Sequence, residues 1–274
     1  MLNADLVWPL QGKMPAVRFA DPSGAPEAAV VTAVEQPVLL GYRPARSNGR
    51  AMLVLGGGGY VALMAGREGV QVAQWLTGLG FHAFVLLHRF PDAAHGVAAP
   101  LDDAIEAIRM IRASALAPDG LGVVGLSSGG HLAACLFAAY PEDWGPQSLP
   151  ARPDLAILGY APISTNAKGR TIIPDKPPLP PAEKQAFYDR LQPDAQLLPS
   201  PPPAFIVYSE SDPVVPIDNA LRLRAAWQAA GGSSELHIFA DAPHGFALDT
   251  PDQPVSLWPR LCEAWLRQVG FLQA

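Results

Sequence analysis

Short apolar runs alternate with longer amphipathic stretches along most of the chain. The runs at 51–55, 81–87, 120–126, 155–160, 204–208 and 235–239 have the length and apolar content of buried strands. Between them, apolar positions recur at helical spacing. Leu101, Ile105, Ile108 and Ile111 mark one helix, with Asp102 and Asp103 in its first turn and Arg109 and Arg112 near its end, which suits the helix dipole. Further helices are expected over 67–79, 131–139, 219–230 and 255–268, several of them stopping at glycine. Strand–helix alternation of this kind predicts an α/β fold, a mostly parallel eight-stranded sheet with helices on both faces. The segment 29–43 is expected to add antiparallel edge strands at the N-terminal side. No internal repeat interrupts the pattern, so residues 1–274 are read as a single domain.

Punctuation refines this picture. Thirty prolines are present, and they crowd between Pro174 and Pro203. Proline lacks a backbone donor and fixes φ, so the 164–203 region is read as an insertion, a lid or a pocket wall, and not as sheet interior.

In a parallel sheet, ligands bind beyond the carboxyl ends of the strands. Gly125-Leu126-Ser127-Ser128-Gly129 stands at such an end, with a strand before it and a helix after it. That context gives the G-x-S-x-G pattern its meaning. A turn from strand to helix within one residue leaves Ser127 strained and its hydroxyl exposed, and the flanking glycines remove side chains that would collide. A glycine-rich turn with an incidental serine would lack this setting. A serine hydroxyl needs a base, and the base needs an orienting carboxylate. With the nucleophile on such a turn, the expected chain order is Ser, acid, His. Asp212 follows the 204–208 strand and His244 follows the 235–239 strand, so both fall on the rim that carries Ser127. The rivals are less well placed. His82, His88 and His95 precede the serine, His131 lies on the helix after it, and His237 lies inside a strand. Glu210 is an alternative orienter closer to its strand, and Asp241 and Asp249 read as loop residues. A histidine base must be neutral to accept a proton, so activity is expected to fall in acid.

An oxyanion needs preorganised donors. Gly56-Gly57-Gly58-Gly59-Tyr60 follows the 51–55 strand, and the N–H of Gly57 or Gly58, with that of Ser128, is expected to supply them. Tyr60 is expected to touch substrate. Neither G-x-x-x-x-G-K-[ST] nor G-x-G-x-x-G with a suitable acid is present, which argues against a phosphate-cradling loop.

Composition narrows the partners. The formal net charge is −6, and no basic run could track a phosphate backbone, so nucleic acid is not expected. No apolar stretch approaches about 20 residues, so no membrane span is expected. The two cysteines, Cys135 and Cys262, lie in apolar helical stretches and read as buried free thiols. Residues 1–9 lack the charged and apolar regions of a secretory signal, which makes the cytoplasm the expected location unless a signal has been trimmed. Self-association through the proline-rich segment stays open.

Several stretches together resemble bacterial carboxylesterases related to acetyl xylan esterases, within the α/β-hydrolase superfamily. They are the glycine loop continuing into Arg67-Glu68-Gly69 and Trp75-Leu76, residues 80–86 with Arg89 and Pro91, and Pro100-Leu101-Asp102-Asp103-Ala104. To these are added residues 125–133, Asp212-Pro213-Val214-Val215-Pro216 and Pro243-His244-Gly245-Phe246. The resemblance implies hydrolysis of small acyl esters, often acetyl groups on sugars, with no metal or organic cofactor. It also implies Ser127 as nucleophile, His244 as base and Asp212 as orienter. Gly56 departs from the His or Pro common at its position. Amide, formamide or peptide hydrolysis on the same triad, and a catalytically inactive binding protein of the same fold, remain as alternatives.

Overall fold

The computed structural model describes residues 1–144, 152–167 and 169–273. Ten strands occur among them: β1 (Leu6–Pro9), β2 (Ala16–Phe19), β3 (Val31–Gln36), β4 (Val38–Tyr42), β5 (Ala51–Leu55), β6 (His82–Leu87), β7 (Leu121–Leu126), β8 (Leu155–Gly159), β9 (Ala204–Ser209) and β10 (Ser234–Phe239). Eight form one sheet in the order β1-β4-β6-β5-β7-β8-β9-β10. From β6 to β10 every pairing is parallel, while β4 is antiparallel to both β1 and β6. Strands β5 to β9 are buried along their whole length, which is why their sequences are continuous apolar runs without alternation. Strand β10, at the far edge, is only partly buried.

The helices are α1 (Gln71–Gly78), α2 (Ala99–Ala113), α3 (Ser128–Cys135), α4 (Ala182–Arg190), α5 (Pro193–Gln196), α6 (Asp218–Ala229) and α7 (Trp258–Gln268). Chain direction across the sheet reverses at its centre. The connection leaving β5 runs to β6 on one side, and the connection leaving β7 runs to β8 on the other. The crevice between the carboxyl ends of β5 and β7 is therefore the topological switch point, where ligands bind on open α/β sheets.

Three expectations about elements are met with differences in detail. The antiparallel N-terminal edge is present as the pair β1 and β4, and segment 29–43 supplies one strand of it. The segment's second half, β4, lies one position in, and its first half, β3, pairs with β2 in a separate two-stranded sheet. The outermost strand is β1, whose residues read as ordinary N-terminal sequence because only four of them pair and the last is Pro9. The helix expected over 67–79 opens as one π-helical turn at Ala65–Val70 before α1 begins. The helix expected over 131–139 stops at Cys135. The N–H groups of Leu136, Phe137 and Ala138 bond three residues back, a tightening typical of a helix end.

The proline-rich region also holds more than connection. Helix α4 occupies the proline-free stretch between Pro181 and Pro193, and Pro193 itself opens α5, where a missing N–H costs nothing. Buried Asn219 of α6 ties the region down. Its Oδ1 accepts from the N–H groups of Ser164 (2.8 Å) and Thr165 (3.1 Å), and its Nδ2 donates to Thr165 Oγ1 (2.6 Å) and to the Pro216 carbonyl (2.8 Å). Cys135 and Cys262 are free and buried. Among the described residues, no helix is long and apolar enough to cross a membrane.

Candidate active site

Ser127 sits between β7 and α3 with φ 52° and ψ −126°, a conformation L residues rarely adopt. The turn is held by hydrogen bonds on both sides. Ser127 N–H donates to the Gly159 carbonyl (3.0 Å), and its own carbonyl accepts from Gly130 (2.9 Å) and His131 (3.1 Å). The flanking glycines are required by contact. A Cβ at Gly129 would lie 2.0 Å from the Leu55 carbonyl oxygen, and one at Gly125 would lie 2.3 Å from that of Gly129.

Three side chains expected to meet do so. Ser127 Oγ is 2.9 Å from His244 Nε2, and His244 Nδ1 is 2.7 Å from Asp212 Oδ2. The Asp212 carboxylate is wholly buried and fixed from its other side, with Oδ1 accepting the N–H groups of Val214 (2.8 Å) and Val215 (2.9 Å). The His244 ring lies edge-on to Tyr160, with centroids 5.3 Å apart.

The alternatives fall elsewhere. Glu210 is exposed, Asp241 accepts a hydrogen bond from Ser211, and Asp249 pairs with Arg67. His82 begins β6, at the opposite end of the sheet, and His95 pairs with Asp92 and Glu35. His237 pairs with Glu235. His88 is buried against the Arg89 carbonyl, and burial lowers its pKa. His131 is fully buried, with Nε2 donating to the Leu191 carbonyl (3.2 Å) and Nδ1 accepting from Tyr60 (2.9 Å). Burial pushes its pKa down to about 4, which keeps it neutral.

The glycine loop differs from expectation in two ways. Gly57 N–H is not free, because it donates to Glu68 Oε2 at 2.6 Å. Gly59 N–H donates to Ser128 Oγ (2.9 Å). Among the described residues, no acceptor faces the N–H of Gly58 or of Ser128, so these two remain available to a ligand. The loop lies directly on the serine, since a Cβ at Gly57 would be 2.6 Å from Ser127 Cβ. A Cβ at Gly58, where φ is +131°, would be 2.2 Å from the Ala62 carbonyl oxygen. The second difference is Tyr60. Its side chain is buried, its hydroxyl is engaged by His131, and its ring packs on Phe187 and Tyr188 with centroids 5.1 and 5.5 Å apart. Tyr60 supports the pocket wall through Tyr188, and its hydroxyl is turned away from the serine toward His131.

Glu68 is the residue that sequence reasoning passed over. The π-helical turn carries it under the loop, where its two oxygens accept from Gly57 N–H and from Tyr160 Oη (2.9 Å). Burial raises its pKa, opposed by these hydrogen bonds and by the nearby His244 and Arg67. The only signal in the sequence was a glutamate amid apolar and glycine residues at the start of a helical stretch. The family resemblance takes in Arg67-Glu68-Gly69 but implies no role for Glu68.

A cavity of about 170 Å³ opens at Ser127 and Ser128. The 164–203 segment supplies Thr165, Asn166, Lys176, Leu179, Lys184 and Tyr188 to its wall. A larger cavity of about 420 Å³ adjoins it and shares Asn166 and Lys176. Among the described residues, no cluster of three or more His, Cys, Asp or Glu could hold a metal ion.

The chain is similar to several known proteins. The acetylxylan esterase of Xylanibacter ruminicola is 28% identical over 226 residues, 76% of this chain and 43% of that protein. Endo-1,4-beta-xylanase B of Butyrivibrio fibrisolvens is 30% identical over 213 residues, 72% of this chain and 32% of that protein. The chain thus spans less than half the length of the curated relatives it matches. The crystal structure of an acetyl ester-xyloside bifunctional hydrolase from Caldicellulosiruptor lactoaceticus superposes with a TM-score of 0.73 at 27% identity and covers 98% of each chain. The family described as alpha/beta hydrolase fold matches residues 53–248, most of the 274, and the chain belongs to that family.

Proposed function

We propose that this protein is a serine esterase that hydrolyses short-chain acyl esters, acetyl esters of carbohydrates foremost, through an acyl-enzyme. The observation that carries this reading is the continuous chain from Ser127 Oγ to His244 to Asp212, at 2.9 and 2.7 Å. The relatives named for acetylxylan and acetyl ester hydrolysis support the substrate class. A cavity of about 170 Å³ at the serine suits a small acyl group.

In the first half-reaction, Ser127 Oγ bonds to the ester carbonyl carbon while His244 Nε2 takes the hydroxyl proton. The carbonyl oxygen becomes an oxyanion, for which the N–H groups of Ser128 and Gly58 are the available donors. Helix α3 adds its positive end at the same point. Collapse breaks the bond to the alcohol oxygen, which leaves with the proton from His244. Water then attacks the acyl-enzyme by the same route in reverse, releasing the acid and restoring the serine. A fluorophosphonate probe tests the reading. The tryptic peptide containing Ser127 is expected to carry one adduct, detected by mass spectrometry. An unlabelled Ser127 would overturn the proposal in favour of an inactive member of the fold.

Glu68 has a positioning role in this scheme. By binding Gly57 N–H it sets the peptide that leads into Gly58, and so aims the Gly58 donor. Glu68→Ala removes both accepting oxygens and leaves Gly57 N–H and the Tyr160 hydroxyl without the partner that fixes them. Misplaced donors cost rate steeply, so kcat is expected to fall roughly 10- to 100-fold with little change in KM. A KM effect with kcat preserved would show that Glu68 does not act through the oxyanion donors.

A further inference from the structure

The chain has four lysines, Lys13, Lys168, Lys176 and Lys184, and two of them line the cavity that opens at Ser127. No Asp or Glu lines that cavity. The ion pairs among the described residues all use arginine or histidine, and none reaches Lys176 or Lys184. Lys184 is 9% exposed, and its ammonium lies against the oxyanion loop, 3.7 Å from where a Cβ on Gly59 would sit. Asp175 and Asp189 line the adjoining cavity with Lys176, and Asp189 accepts from Gln185 Nε2 (2.8 Å), but neither forms an ion pair with these lysines.

Lysine is rarely buried without a partner, because an ammonium removed from water loses its hydration and gains nothing in exchange. Burial lowers the pKa of both lysines, and their mutual repulsion lowers that of Lys184 further. In a chain of net charge −6, two unpaired cations facing one small cavity are a local reversal of sign. Such a pair is completed by an anion that arrives with the substrate.

We propose that the ester cleaved at Ser127 carries a carboxylate, received by Lys176 and Lys184, so that the preferred substrate is an anionic ester. This rests on the ester-hydrolase reading and narrows it. The carboxylate can belong to the alcohol, as in an acetylated sugar acid, or to the acyl group, as in a half-ester of a dicarboxylic acid. The experiment separates these sources.

The test compares two pairs of esters matched in shape. In 4-acetoxybenzoate and 4-acetoxybenzamide the charge lies on the alcohol side; in monomethyl succinate and methyl succinamate it lies on the acyl side. In one pair, kcat/KM for the anion is expected to exceed that for its neutral amide by roughly tenfold or more at low salt, and that pair identifies the source. The ratio should shrink as salt is raised. It should fall severalfold in Lys176→Met or Lys184→Met and approach unity in the double variant. The ratio is internally referenced, so a general loss of activity does not imitate the effect. If the Lys184 variant fails to fold, Lys176→Met and the salt titration carry the same readout. Ratios near unity in both pairs, or a ratio that survives the double substitution, would overturn the anionic preference while leaving the esterase reading intact. Hydrolysis of none of the four esters would overturn both.

Discussion

Ser127→Ala is expected to lower kcat for ester hydrolysis by about 10⁶-fold while the protein stays folded. The size of the loss follows from the unit to which Ser127 belongs. His244 and Asp212 act on the substrate only through the serine hydroxyl, so removing Oγ removes the contribution of all three. What survives is the effect of binding and of the oxyanion donors, roughly 10³-fold or more over water. The fold survives because little of it depends on Oγ, which among the described residues is hydrogen-bonded to His244 alone. The backbone bonds that hold the turn, from Ser127 N–H to Gly159 and from Gly130 and His131 to the Ser127 carbonyl, are the same in alanine. Alanine tolerates the φ of 52° no worse than serine does. Steady-state kinetics against p-nitrophenyl acetate, with a thermal melt alongside, checks the expectation. A variant that melts within a few degrees of the parent and keeps even a tenth of its rate would remove Ser127 from the chemistry.

The same serine shows why part of the site was legible in the sequence. A nucleophile on a strand-to-helix turn leaves a local imprint, since steric contact with Leu55 and with the turn itself demands glycine at positions 125 and 129. Asp212 and His244 were legible by place. Each follows an apolar run, and a parallel sheet brings the carboxyl ends of such runs to one rim. The hydrogen bonds of the glycine loop were not legible. Four consecutive glycines announce a close approach of backbone, but the direction of each N–H depends on loop torsions that residue type does not encode. Gly57 turned out to serve Glu68, Gly59 to serve Ser128, and Tyr60 to pack inward on His131. Glu68 itself was hidden because its inward direction depends on the π-helical turn at Ala65–Val70, which shifts the face a regular helix would present. The lysines were hidden for a different reason. They lie in the proline-rich region, where no periodicity distinguishes a wall residue from a surface one, and only the packing of α4 against the loop of residues 56–59 brings Lys184 to the serine. Edge strand β1 was missed because four residues ending in proline give too short a pattern to separate from coil.

Asp212→Asn is expected to cost about 10⁴-fold in kcat, with the backbone unmoved, and the reason lies in which oxygen does what. Asp212 Oδ1 accepts the N–H groups of Val214 and Val215, so that position must remain an oxygen. An asparagine placed there keeps its carbonyl toward those donors and turns its NH2 toward His244 Nδ1. The imidazole then has to accept at Nδ1 and carry its proton on Nε2, the nitrogen that faces Ser127 Oγ at 2.9 Å. A protonated Nε2 cannot take the serine proton, so the base is disabled without a change in shape. The opposite orientation restores the tautomer only by setting the NH2 against two N–H donors in a fully buried site, which costs more than it returns. Two measurements separate this account from general damage. The melting temperature should stay close to that of the parent, because the amide reproduces the carboxylate's volume and its bonds to Val214 and Val215. KM should change little, since neither Asp212 nor its replacement lines the cavity. A variant that retains more than about a tenth of the parental kcat would show that the imidazole is oriented by some other group, and the tautomer argument would fail.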